Sequence, residues 1–101
     1  MKVVFSRFVE DDLDAIAASI AEDNPTRALT FITEVRAKAL SLGANALLHQ
    51  LRPDIGDQAR MAIVGRYAIL FRITADDLVR VERIVYGGRN LPAVLDQNDM
   101  K

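Results

Sequence analysis

Few side chains in this sequence are able to do chemistry, and their types narrow the options at once. Among the 101 residues there is no cysteine and one histidine, His49, beside Gln50. A disulfide framework and a thiolate zinc site are excluded, and a lone imidazole is a poor basis for a transition-metal centre. A serine–histidine–carboxylate relay would have to join His49 to Ser6, Ser19 or Ser41. None of these serines sits in the strained strand-to-helix elbow that exposes such a nucleophile, so His49 reads as a loop histidine. Gly87-Gly88 lacks the further glycines and the lysine of a phosphate-binding loop and reads as a strand-ending turn. Glu10, Asp11, Asp12 and Asp14 form an acidic cluster. Consecutive helical residues point in different directions and do not converge on one cation. The expectation is a solvated face matched to the positive end of a helix dipole. Neither a metal nor a cofactor is expected.

The remaining chemistry lies in the arginines, which make up ten of the thirteen basic residues. Arginine suits planar, bidentate contacts with carboxylates or phosphates and tolerates partial burial. Residues 1–50 carry seven acids against five bases, whereas residues 51–95 carry seven arginines against five acids. The second half is therefore the place to look for an interaction surface. Arg83 stands in the row Val79, Val81, Arg83, Val85, where alternation predicts a core-facing position. A guanidinium there must pair with a carboxylate, line a cleft or reach past the sheet edge. Arg66 and Arg89 fall at turns, and with Tyr67 and Tyr86 they would make a basic, aromatic patch at one end of a sheet. Half-buried strand packing with exposed hydroxyls is the simpler role for the two tyrosines.

These residues need elements to hold them. Lys2 to Phe5 reads as a short strand, from its β-branched and aromatic content. Ser6 is a plausible cap for a first helix over about residues 7–22, with Val9, Leu13, Ile16, Ala17 and Ile20 on one stripe. Asn24 and Pro25 then suit the cap and first position of a second helix. Its stripe is Ala28, Phe31, Ile32, Val35, Ala39 and Leu42, with Gly43 as the stop. The short link between the two predicts an antiparallel helical hairpin. From Ala44 to Ala59 no period is clear, and Leu47, Leu48, Leu51 and Ile55 are expected to pin this stretch to the core. Residues 60–64, 67–74 and 78–86 read as three strands whose short connections demand antiparallel hairpins. The middle one is apolar on nearly both faces, as a central strand should be. Asn90 to Leu95 close the chain with one helical turn, and residues 96–101 are expected to fray.

The order β-α-α-β-β-β predicts a single α+β domain over residues 1–101, an antiparallel sheet packed by an N-terminal helical hairpin. Half the residues are apolar and the net charge is −1, which gives no reason to expect direct binding to nucleic acid. No apolar run is long enough for a membrane span, and the early charges leave no room for the apolar region of a signal peptide. A soluble, cytoplasmic protein is the expectation.

The run ADDLVRVERIVYGGRNLPAVL, preceded by VGRYAILFRI, resembles the carboxy-terminal half of RelE/ParE-type toxins of bacterial toxin–antitoxin systems. The segment SRFVEDDLDAIAASIAEDNPTRALTFITEVRAKALSLG resembles the helical hairpin of the same family. The likeness covers about residues 2–95 and implies a small toxin neutralised by a cognate ParD-like antitoxin in a hetero-oligomer. RelE-like members cut messenger RNA on the ribosome. Their pattern puts strand lysines at about Ala59 and Met61, an arginine at Ala68, a terminal tyrosine at about Leu95, and an arginine at Arg89. Only the last is present, and methyl groups cannot move protons. ParE-like members poison DNA gyrase. Their last strand and turn resemble Arg83-Ile84-Val85-Tyr86-Gly87-Gly88-Arg89-Asn90, with Tyr86 in place of a frequent histidine and Asn90 in place of a frequent aspartate. The resemblance thus implies a ParE-like gyrase inhibitor that acts by binding, with no catalytic residue of its own. Arg66, Tyr67, Arg83, Tyr86 and Arg89 are the candidate target contacts. A ribosome-dependent nuclease is the first alternative, and a non-toxic binding module the second.

Overall fold

A computed structural model describes residues 1–99 of the chain. The elements run β1 (Lys2–Phe5), α1 (Val9–Ala21), α2 (Pro25–Asn45), a 3-10 turn at Ala46–Leu48, β2 (Arg60–Val64), β3 (Tyr67–Ile73), β4 (Leu78–Tyr86) and α3 (Leu91–Asp99). This is the α+β order expected. The strands lie in the order β1-β4-β3-β2, so β3 and β4 are central. The β2–β3–β4 meander is antiparallel, whereas β1 joins β4 in parallel. That one strand makes the sheet mixed rather than purely antiparallel. The helical hairpin between β1 and the meander is the crossover that a parallel neighbour requires.

Both faces of the sheet are covered. On one, Val9, Leu13, Ile16, Phe31, Val35, Ala39 and Leu42 of the hairpin meet Ile69, Phe71, Val79, Val81 and Ile84. On the other, Leu91, Val94 and Leu95 of α3, together with Ile55 and Ala59, cover Ala68, Leu70 and Val85. The alternation of β3 is thereby explained, because each of its faces has its own apolar cover.

Local signals account for most element ends. Asn24 Oδ1 accepts the Arg27 N–H at 3.0 Å at the start of α2, and Pro25 occupies the first turn. Gly65 opens the two-residue β2–β3 turn with φ of 57°, a left-handed value that glycine adopts without steric penalty. Gly43 is not a stop: α2 continues through it to Asn45. A Cβ there would lie 2.4 Å from the Met1 carbonyl oxygen, so glycine lets the start of the chain cross closely over α2. The expected pinning by leucines is corrected too. Ile55 is buried, but Leu47 and Leu48 are 71% and 83% exposed and Leu51 is also exposed. The closing helix extends past Leu95 to Asp99. The expected fray therefore does not cover residues 96–99, and Met100 and Lys101 lie outside the described residues.

Candidate functional site

The end of the sheet is built by two adjacent turns. The Gly87 N–H donates to the Arg66 carbonyl at 2.8 Å, tying the exit of β4 to the β2–β3 turn. In register, Tyr67 of β3 stands opposite Tyr86 of β4. Their rings meet edge to face at 6.2 Å, and Phe31 of α2 packs 5.6 Å from Tyr67 on its other side. Such pairs add to plain area burial. Tyr86 remains half exposed. A Cβ on Gly88 would fall 2.4 Å from the Tyr86 ring, so the glycine makes room for that ring to fold back over the turn.

Between these rings and α1 lies a cavity of about 220 Å³, lined by Asp12, Ala15 and Ser19 on one wall and Tyr67, Tyr86 and Arg89 on the other. A second recess of about 440 Å³ shares Ser19 and Tyr67 and is bordered by Ile20, Phe31 and Arg66. The two adjoin as a trough along α1, with Arg89 on the first and Arg66 on the second. Among the described residues, neither Arg66 nor Arg89 pairs with a carboxylate, whereas Arg27, Arg36, Arg52, Arg72, Arg80 and Arg83 all do. Four of the five residues singled out from the sequence thus come together here.

Arg83 does not join them at the surface. Phe71 pairs with Val81 and Leu70 with Arg83, which leaves Glu82 unopposed as a bulge. The extra residue reverses the alternation, so Ile84 continues the face of Val81, and Arg83 turns to the α3 side with Leu70. From there its side chain rounds the edge of β4, which β1 no longer covers once it ends at Phe5. Arg83 Nε and Nη2 each reach Asp12 at 2.8 Å, and Nη1 reaches Gln97 Oε1 at 3.3 Å. Its guanidinium also stacks 5.1 Å from the Phe8 ring. The paired Asp12 hydrogen bonds hold the Arg83 pKa above its ordinary value despite burial.

Asp12 is the residue that sequence reasoning missed. It is buried, not solvated, and its Oδ2 also accepts the Ile84 N–H at 3.0 Å. The acidic cluster is therefore divided: Asp12 serves β4, and Glu10 pairs with Arg36 of α2 at 2.7 Å. A signal was available, since position 12 lies three residues after Val9 and four before Ile16 and so falls on the buried stripe. Around Glu82, Ser6 Oγ and Asn98 Nδ2 both donate to the carbonyl, and its carboxylate takes Arg72 and Arg80. His49 stands apart, edge-on to Phe71 at 5.6 Å.

The positions at which the nuclease pattern would need ionisable groups hold packing residues. Ala59, Ala68 and Leu95 are fully buried between the sheet and α3, with Met61 packed against them.

Comparison with known proteins follows the same outline. The family described as ParE toxin of type II toxin-antitoxin system, parDE, matches residues 3–91. No curated protein matches the sequence. A chain of the chromosomal ParDE toxin–antitoxin system from P. aeruginosa superposes with a TM-score of 0.74 at 21% identity, covering 85% of this chain and 95% of that one. A chain of the RelBE2 toxin–antitoxin complex from Mycobacterium tuberculosis gives 0.61 at 22% identity, covering 84% and 95%.

Proposed function

This chain belongs to the ParE toxin family of type II toxin–antitoxin systems, and we propose from that membership that it arrests growth by binding DNA gyrase, not by cutting RNA. One observation carries the choice between the two. Ala59, Met61, Ala68 and Leu95, where RelE-like nucleases would place lysines, an arginine and a tyrosine, are apolar and belong to the second core. A buried methyl group neither holds a scissile phosphate nor transfers a proton. Arg89 alone keeps the nuclease pattern, and one exposed cation does not make an acid–base pair.

The remaining surface suits binding. Tyrosine and arginine are, with tryptophan, the side chains enriched at the energetic centres of interfaces, and Tyr67, Tyr86, Arg66 and Arg89 meet at one open end of the sheet. Arg83 contributes from beneath by holding β4. A ParD-like antitoxin would neutralise the toxin by folding as an amphipathic helix, with or without an added strand, over apolar side chains left open. Leu29 and Leu40 of α2, at 75% and 59% exposure, are of that kind.

The test adds the purified protein to gyrase with DNA and, separately, to translating ribosomes. The expected result is accumulated cleaved DNA or lost supercoiling with intact message. Site-specific cuts in message, abolished by one substitution, would overturn the proposal.

A further inference from the structure

We propose that the trough between α1 and the end of β4 receives an acidic segment of the target enzyme, with an aliphatic side chain in the 220 Å³ cavity and carboxylates on Arg89 and Arg66. The proposal rests on the target-binding reading above and adds to it the chemistry of what is bound.

Three features of the trough lead there. Its lining is largely apolar, with Ala15, Ile16, Ile84 and Val85 beside the two tyrosines. Its volume is ample for an aliphatic side chain. Its two unpaired cations, Arg89 on the cavity and Arg66 on the adjoining recess, face it from neighbouring turns, whereas the one buried carboxylate, Asp12, is already committed to Arg83 and the Ile84 N–H. Asp23 of the second recess offers a single opposing charge. A segment with carboxylates on either side of an apolar anchor satisfies both arginines with the planar geometry guanidinium favours. It also covers the exposed ring of Tyr86. A basic segment would meet two like charges.

The site carries its own reporter. Tyr67 and Tyr86 are the only tyrosines, and there is no tryptophan, so intrinsic emission reads occupancy of the trough. A short synthetic peptide in which leucine alternates with glutamate is titrated into the protein, beside the same peptide with lysine for glutamate. The expected result is a saturable change with the acidic peptide at up to millimolar concentration, weakened about tenfold or more by Arg66→Glu with Arg89→Glu. The lysine peptide should give none. In cells, the same double variant should lose growth arrest while its thermal melt is unchanged, because both side chains are exposed turn residues. Ala15→Phe, on the exposed face of α1, should block the cavity and act likewise.

No response to the acidic peptide, an equal response to the basic one, or full growth arrest by the folded double variant would overturn the proposal. If the double variant keeps growth arrest and loses antitoxin binding, the occupant is the antitoxin, and the assignment to the target is wrong. If the unaltered protein arrests growth while gyrase works normally, the gyrase reading fails, and the peptide and growth comparisons still decide this one.

Discussion

Asp12 and Arg83, 71 residues apart in the chain, face each other through two contacts of 2.8 Å at the edge of β4. The pair closes the stretch of strand that β1 leaves open, and it joins α1 to the segment that carries Tyr86 and Arg89. It positions the site, with Arg83 beneath it and Asp12 in its wall.

Removing one partner strands the other. Asp12→Ala leaves a buried guanidinium and an unpaired Ile84 N–H, and should cost about 3–5 kcal/mol. For a domain of this size the melting temperature should fall by more than about 12 °C. Combining Asp12→Leu with Arg83→Met should recover all but about 1–2 kcal/mol, the residue being the unsatisfied amide. Thermal and urea unfolding of the three proteins checks this. A double variant as unstable as the single one would show that the pair does more than neutralise itself.

Glu82 holds a second balance. Arg72 and Arg80 stand directly opposite each other on β3 and β4, and the buried Glu82 carboxylate reaches them at 3.0 Å and 2.8 Å. Glu82→Gln keeps the shape but removes the carboxylate that both arginines share, leaving Arg80 without an ion pair and Arg72 with Asp99 alone, which should destabilise by about 1–2 kcal/mol. Added salt should then stabilise the variant relative to the unaltered protein, since screening relieves repulsion. Denaturant midpoints at low and high salt give the sign directly.

Gly88→Ala separates folding from binding. The new methyl would meet the movable ring of Tyr86 and not backbone, so stability should change by less than about 1 kcal/mol. The ring must leave its place over the turn, and the Tyr86 ring resonances and the peptide titration should both report it. An unshifted ring would mean that the turn itself gives way.

Hydrogen bonds from Arg36 hold the Glu10 carboxyl below the ordinary glutamate range. A lowered folded-state pKa contributes stability that is complete above the ordinary value and is lost as pH falls through the lowered one. Both side chains are largely exposed, so the contribution should stay under about 1 kcal/mol and shrink with salt. A carboxyl titration by NMR should place the Glu10 midpoint low, and Arg36→Ala should return it to the ordinary range.

Leu47→Ser and Leu48→Ser should each change stability by less than about 0.5 kcal/mol, whereas Ile55→Ala should cost about 2–4 kcal/mol. The contrast follows from their burial and is read from unfolding midpoints.

Those leucines also mark where the sequence stopped being informative. Element order, the start of α2 and the central place of β3 were legible because periodicity and capping act over a few residues; α1 instead begins at Val9 with no side-chain cap, and Ser6, expected to cap it, donates to the Glu82 carbonyl of β4. The stretch from Ala44 to Ala59 has no period, so hydrophobicity alone was read as burial, and the buried core residues there are Ala46, Ile55 and Ala59, none of them a leucine. The trough was half legible. Tyr67, Tyr86, Arg66 and Arg89 announced themselves by type and turn position, but its other wall on α1 depends on how two elements distant in sequence pack. Arg83 is buried and paired with a carboxylate as its position predicted, but it does not share the face of Val79 and Val81, because one extra residue, Glu82, inverts an alternation that is otherwise regular.

The parallel pairing of β1 with β4 joins residues 2–5 to residues 78–81. A ribosome must therefore release most of this polypeptide before its opening strand meets its neighbour, and sheets closed by such distant segments form slowly. A nascent chain cut short anywhere before Leu78 lacks the fourth strand altogether, and with it the turn bearing Tyr86 and Arg89. Interrupted translation therefore leaves the trough unbuilt, and that surface exists only on a chain made through Arg89.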